Sequence, residues 1–225
     1  MLIRRSARYR IPNTEYRIPN APRAFTLVEV LTVLAVTAAV LALLVAISVS
    51  MSRSFRIATA QRDATITAER ALDRLVGDVR AARIGADGGH PLRTADDQEL
   101  VITSDVDDDG DAEWVRYTLV DATSPDGGRL ERSVIEASGA PPRYDLANIV
   151  TDVLARGIRN GAQPIFTYYR IDYPTQPSGN PLPAPIRLSE TRHIRMELAI
   201  NLDPAAIATT TVTSAATIRN LREGQ

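Results

Sequence analysis

Apolar positions along this chain fall into three regimes. From Phe25 to Met51 they are nearly continuous: FTLVEVLTVLAVTAAVLALLVAISVSM contains no Gly or Pro and carries one charge, Glu29. At ~1.5 Å per residue such a helix reaches about 40 Å, more than the ~30 Å of bilayer hydrocarbon, so the run predicts a membrane-spanning helix. From Ser52 to Ile84 the pattern changes to helical spacing. Ala68, Leu72, Leu75, Val76, Val79 and Ala82 fall on one face, with Arg70, Asp73, Arg74, Asp78 and Arg80 elsewhere. This predicts the same helix continuing and turning amphipathic. A break near Gly77 into two helices is the alternative, since glycine costs only about 1 kcal/mol against alanine. The turn chemistry of Gly85-Ala-Asp-Gly-Gly-His-Pro91 ends the helical region.

From residue 85 the pattern becomes strand-like. Glu99 to Thr103, Ala112 to Val120 and Arg129 to Ile135 are short, β-branched or alternating, and separated by strong turn clusters. They predict an antiparallel meander that buries one face against the helix. Leu146 to Ile158 has an ambiguous period and reads as a short helix or a covering strand. Pro164 to Ile171 is a strand candidate rich in aromatics, and the five prolines from Tyr173 to Pro185 predict an irregular loop. His193 to Ile200 alternates as a strand, and Thr209 to Thr213 with Thr217 and Ile218 forms the last one. The fold class is therefore α+β: a long N-terminal helix packed on an antiparallel sheet. Its parts are a basic segment 1–24, an apolar helix 25–51, an amphipathic helix 52–84 and a β-rich head 85–225.

Composition sharpens this in three places. Cysteine is absent, which excludes disulfides and thiolate metal sites. The first 24 residues hold six Arg and one acid, Glu15, and lack an apolar stretch long enough for a secretory signal. Their repeat, Tyr9-Arg-Ile-Pro-Asn13 and Tyr16-Arg-Ile-Pro-Asn20, predicts extended chain because of its prolines. Positive charge beside the apolar run predicts a cytoplasmic N-terminus with the head outside. The remaining chain has 20 Arg and 26 acidic residues, a net of −6, which argues against nucleic acid as a partner.

Candidate chemistry is sparse. Nine acids and no base lie between Asp96 and Glu113, among them Asp105, Asp107, Asp109, Asp111 and Glu113 at alternate positions around Gly110. Calcium takes six to eight oxygens, and an alternating D-x-D-x-D-G loop supplies carboxylates around a sharp turn. Arg116 stands where an EF-hand requires its bidentate Glu, so the loop is no EF-hand. Two readings stand for it, a reduced calcium site and a solvated acidic hairpin turn. Trp114, Tyr117, Phe166, Tyr168 and Tyr169 read as core before they read as a ligand patch. His90 and His193 have no recognisable partner, and no nucleophile elbow, zincin or phosphate-loop motif occurs, so the chain reads as no enzyme.

The stretch Arg23-Ala-Phe-Thr-Leu-Val-Glu-Val-Leu31 resembles the processing site of type IV prepilins and type II secretion pseudopilins. That family reads a small residue, usually Gly, then Phe-Thr-Leu-aliphatic-Glu; here Ala24 takes the small position. The head is similar, more loosely, to minor pilins of the W type and pseudopilins of the J type, from its strand trio, its Phe166-Thr-Tyr-Tyr169 strand and its closing strands ending in Arg219-Asn220. The resemblance implies a pilin-like fold, cleavage between Ala24 and Phe25 by prepilin peptidase, and methylation of the new Phe25 amine. It also implies that Glu29 serves assembly with other pilins, starting from the inner membrane. A permanently anchored extracytoplasmic binding module and a DNA-uptake pilin are the alternatives.

Overall fold

The computed structural model describes residues 24–202 and 209–221. The leader expected at 1–24 therefore lies, except for Ala24, outside the described residues. The chain divides into two compact units, Met1–Met51 and Ser52–Gln225. One helix, α1 (Leu27–Ala81), runs through both ranges.

In the first unit α1 is a bare apolar helix. Every residue from Ala24 to Met51 is exposed, including sixteen large apolar side chains from Phe25 to Met51. At ~1.5–3 kcal/mol each, leaving them in water would cost on the order of tens of kcal/mol, well above the ~5–15 kcal/mol stability of a typical domain. The segment therefore needs apolar surroundings, and it is long and apolar enough to cross a membrane. Its hydroxyls suit such a medium. Thr32 Oγ1 donates to the Glu29 carbonyl (2.9 Å) and Ser48 Oγ to the Leu44 carbonyl (2.8 Å), so neither needs water.

In the second unit the remainder of α1 buries one stripe, Ala64, Ala68, Ala71, Leu72, Leu75, Val76 and Val79. These alanines, leucines and valines join the strands' apolar side chains in one core. The helix passes through Gly77 unbroken, so the two-helix alternative does not hold. A Cβ added at Gly77 would meet nothing within 4 Å. The helix ends at Ala81, slightly short of the expected Ile84. Asn220 Nδ2 caps its end by donating to the Ala82 carbonyl at 2.7 Å.

The sheet has eight strands: β1 (Leu92–Ala95), β2 (Glu99–Ser104), β3 (Glu113–Val120), β4 (Gly128–Ser138), β5 (Arg143–Ile158), β6 (Phe166–Tyr169), β7 (His193–Ile200) and β8 (Thr210–Thr217). All described pairings are antiparallel, in the order β1-β2-β3-β4-β5-β7-β6, with β8 on β7. The expected trio is present as β2, β3 and β4. The ambiguous stretch after Leu146 belongs to the long β5, and β1 is an additional strand. Period-2 alternation carries the core: Val115, Tyr117 and Leu119 on β3 and Ile194, Met196, Leu198 and Ile200 on β7 all point inward. Phe166 and Tyr168 are likewise buried, as expected of core aromatics. Trp114 instead faces the other side of β3, stacked on Tyr144 with ring centroids 4.7 Å apart.

β5 owes its ambiguous sequence to its position. It pairs with β4 over most of its length but with β7 at one residue pair, Ile158↔Ile200. Most of the strand is consequently exposed, and Leu146, Ile149, Val150 and Val153 do not alternate between a core and a wet face.

Candidate functional site

Two places hold the site residues singled out from sequence, and a third holds a buried cluster that the sequence did not mark. The first is the start of α1. Thr26 precedes the helix, and its Oγ1 accepts a hydrogen bond from the Glu29 backbone N–H at 3.2 Å. Its carbonyl accepts from Val30 N–H at 3.2 Å. Thr26 is thus the N-cap and Glu29 the third helical residue, the spacing of a capping box. That T-x-x-E signal is legible in the sequence beside the family motif, and it gives Glu29 a local role as an acid in the first turn. Ala24 and Phe25 precede the helix, with Phe25 78% exposed, so the peptide bond between them lies in non-helical, accessible chain.

The second place is the acidic loop between β2 and β3. Asp105, Asp107 and Asp109 bring one carboxylate oxygen each within 4.8 Å of one another. Two features shape the turn: Asp108 takes a left-handed φ of 63°, which Asp tolerates, and Gly110 has φ 102°. Side chains brace it, with Asp107 Oδ1 accepting from Asp109 N–H (3.3 Å) and Asp109 Oδ1 from Asp111 N–H (2.8 Å). Arg83 reaches in from beyond the helix end, its Nη2 2.8 Å from Asp105 Oδ2 and 2.7 Å from the Asp111 carbonyl.

The other two expected calcium ligands fall outside the group of three. Asp111 contributes its backbone to Arg83. Glu113 lies on the inward row of β3, fully buried, and its Oε2 accepts from Val106 N–H at 2.8 Å. It pins the loop from beneath. Burial pushes the Glu113 carboxyl above its usual range despite the Val106 bond, and Glu136 and Asp107 add to the rise. Glu136, on β4, is raised by burial and then by the carboxylates of Asp107, Asp109 and Asp111. The loop thus concentrates negative charge that Arg83 alone offsets in part. Three gathered carboxylates suit a hard cation but fall short of the six to eight oxygens calcium takes, leaving the rest to backbone carbonyls and water.

The third place was not anticipated. Asp78, expected on the polar side of the helix, is buried on the sheet side. Its Oδ2 accepts from Tyr117 OH at 2.6 Å and from Arg132 Nε at 2.8 Å, and Arg74 Nε lies 3.6 Å from Oδ1. Tyr117 and Arg132 are direct cross-strand partners on β3 and β4, so one carboxylate ties the helix to two strands. Burial, then the Asp78 charge, pushes the Tyr117 phenol well above its usual range. For Arg132 burial works against the charge, but Asp78 outweighs it and the guanidinium stays protonated. No local signal marks this cluster, because the helical period alone places Asp78 one position from the apolar stripe.

Compared with protein-family models, with curated proteins and with solved structures, the chain shows no match.

Proposed function

We propose that this chain is the precursor of a minor pilin or pseudopilin, a structural subunit processed by prepilin peptidase and assembled into or at the tip of a type IV pilus or type II secretion pseudopilus. The observation that carries the reading is the juxtaposition at the start of α1. A small residue, Ala24, and the sequence Phe25-Thr-Leu-Val-Glu29 stand in accessible chain immediately before a helix long and apolar enough to cross a membrane. The β-rich unit with its own core supports it, being the kind of head such a subunit carries.

In this reading the chain enters the inner membrane with its basic N-terminus in the cytoplasm and its head outside. Peptidase removes residues 1–24 and methylates the Phe25 amine. The bare apolar helix passes from lipid to the packed helices of neighbouring subunits, both of which supply apolar surroundings. Glu29 then meets the Phe25 amine of a neighbour. A carboxylate this near a helix end costs less than the ~2.5–3.5 kcal/mol of a central one, and an ionisable residue in a membrane helix invites a partner.

Mass spectrometry of the mature N-terminus tests the reading. The expected species begins at N-methylated Phe25. A chain that keeps residues 1–24 in cells with active peptidase would instead be a permanently anchored binding module.

A further inference from the structure

The acidic loop has a counterpart of opposite charge. Two adjoining clefts of about 420 and 370 Å³ meet at His193 and Thr217, where β7 begins and β8 ends. Ile171, Tyr173 and Arg192 complete the first; Arg80, Arg219 and the end of β8 complete the second. One guanidinium group thus lines the first cleft and two line the second, with the His193 imidazole lining both, and no carboxylate lines either among the described residues.

None of these three guanidinium groups has a carboxylate partner among the described residues: ten ion pairs occur there, and none involves Arg80, Arg192 or Arg219. The nearby acids are committed elsewhere, Asp172 to Arg170 and Glu190 to Arg187. Arg192 is held by neutral acceptors: its Nη1 donates to the Ser189 carbonyl at 2.7 Å and the Thr191 carbonyl at 3.0 Å. Those bonds fix the guanidinium without cancelling its charge. His193 is fixed too, its Nδ1 2.8 Å from Thr217 Oγ1. Tyr173 packs on Tyr169, with centroids 4.2 Å apart, and presents an apolar wall beside the charges.

We propose that this pair of clefts binds a phosphate group, with Arg80 and Arg219 holding the anion in the second cleft, Arg192 adding its charge from the first, and Ile171 and Tyr173 there contacting whatever apolar body carries it. Guanidinium donors match phosphate oxygens in pairs, and two of them in one cleft with a third in the adjoining one favour a multiply charged anion over a single carboxylate. The inference stands apart from the filament reading, since it concerns the head alone.

Titration calorimetry on the full chain in nonionic detergent, at one fixed pH, tests it. The probes are inorganic phosphate and dihexanoyl phosphatidate, with chloride at matched ionic strength as the control for screening. Saturable binding of phosphate is expected, weakened about tenfold or more by Arg219→Gln and by Arg192→Gln, and unchanged by Arg143→Gln. Arg219 is exposed, so its variant keeps the fold even if Arg192→Gln disturbs it. Binding of both probes with similar affinity identifies a free phosphate site. Much tighter binding of the phosphatidate identifies a lipid headgroup held with its chains against Tyr173. No binding of either probe, or equal weakening by Arg143→Gln, overturns the proposal.

Discussion

The two stretches of α1 place a carboxylate in apolar surroundings in opposite ways. Glu29 stands near the start of a segment in which every residue is exposed, supported by Thr26 and the helix terminus. Asp78 stands in a packed interface, with donors from two strands and a second guanidinium nearby. The first is unpaired by any side chain of its own molecule among the described residues, which leaves it available to the partner proposed above. The second is satisfied within the head and has nothing left to offer a partner. A carboxylate on an apolar helix face is therefore not by itself a functional sign; what decides is whether the fold supplies its donors.

The sharpest way to break this contrast is to remove the internal carboxylate. Asp78→Ala leaves Arg132 and Tyr117 buried without their acceptor, and breaking a buried pair from one side costs about 3–5 kcal/mol. Chemical denaturation of the head should show a loss of that size. Replacing Asp78 and Arg132 together by Leu and Met should recover most of it, because the penalty comes from the orphaned charge.

At Glu29 the opposite outcome is expected. Glu29→Val should insert at least as well as the natural chain, gaining up to roughly 2.5–3.5 kcal/mol, with a small offsetting loss at the capping box. It should still be cleaved, yet fail to co-purify with sheared filaments. Normal incorporation would reduce Glu29 to a helix-start residue. Ala24→Leu serves as the companion: a bulky residue at the small position should block maturation, read by the unshifted N-terminus.

The acidic loop offers a third, smaller effect. Burial and neighbouring carboxylates raise the Glu113 and Glu136 carboxyls above their usual range, so these two groups hold protons more tightly in the folded head. Their contribution to stability is fully present below the unfolded pKa near 4.5 and is lost as pH rises through the raised values. Glu136→Gln should flatten that slope in thermal melts. If calcium settles among Asp105, Asp107 and Asp109, millimolar calcium should raise the midpoint above that range and Asp107→Asn should abolish the gain. Identical melts with calcium and chelator would leave the solvated turn. The smallest effect is at Gly77, where alanine meets no obstacle and should stabilise the helix by about 0.5–1 kcal/mol.

Much of the molecule was legible because its signals are local. The apolar run, the helical period up to Ala82, the turn residues and the alternation of β3 and β7 each act within a few residues, and the elements appeared where those signals stood. Strand β1 was missed because Leu92–Ala95 is only four residues and is held by pairing with β2. β5 was ambiguous because most of it is exposed on both faces, so no buried face imposes a period of two.

The amino-acid sequence by itself determined that a long apolar helix precedes a β-rich unit and that aspartates crowd one turn. Only the tertiary structure decided what the charges do. It turned Asp78 inward to meet Tyr117 and Arg132, which lie 39 and 54 residues away along the chain. It separated Glu113 from the aspartates it resembles, burying it because β3 alternates and residue 113 falls on the inward row. And it gathered Arg80 and Arg219, far apart along the chain, into one cleft lining, with Arg192 in the cleft beside it. The reason is one of range: hydrophobic periodicity acts on a segment, whereas a charge is read only against the neighbours that folding brings to it.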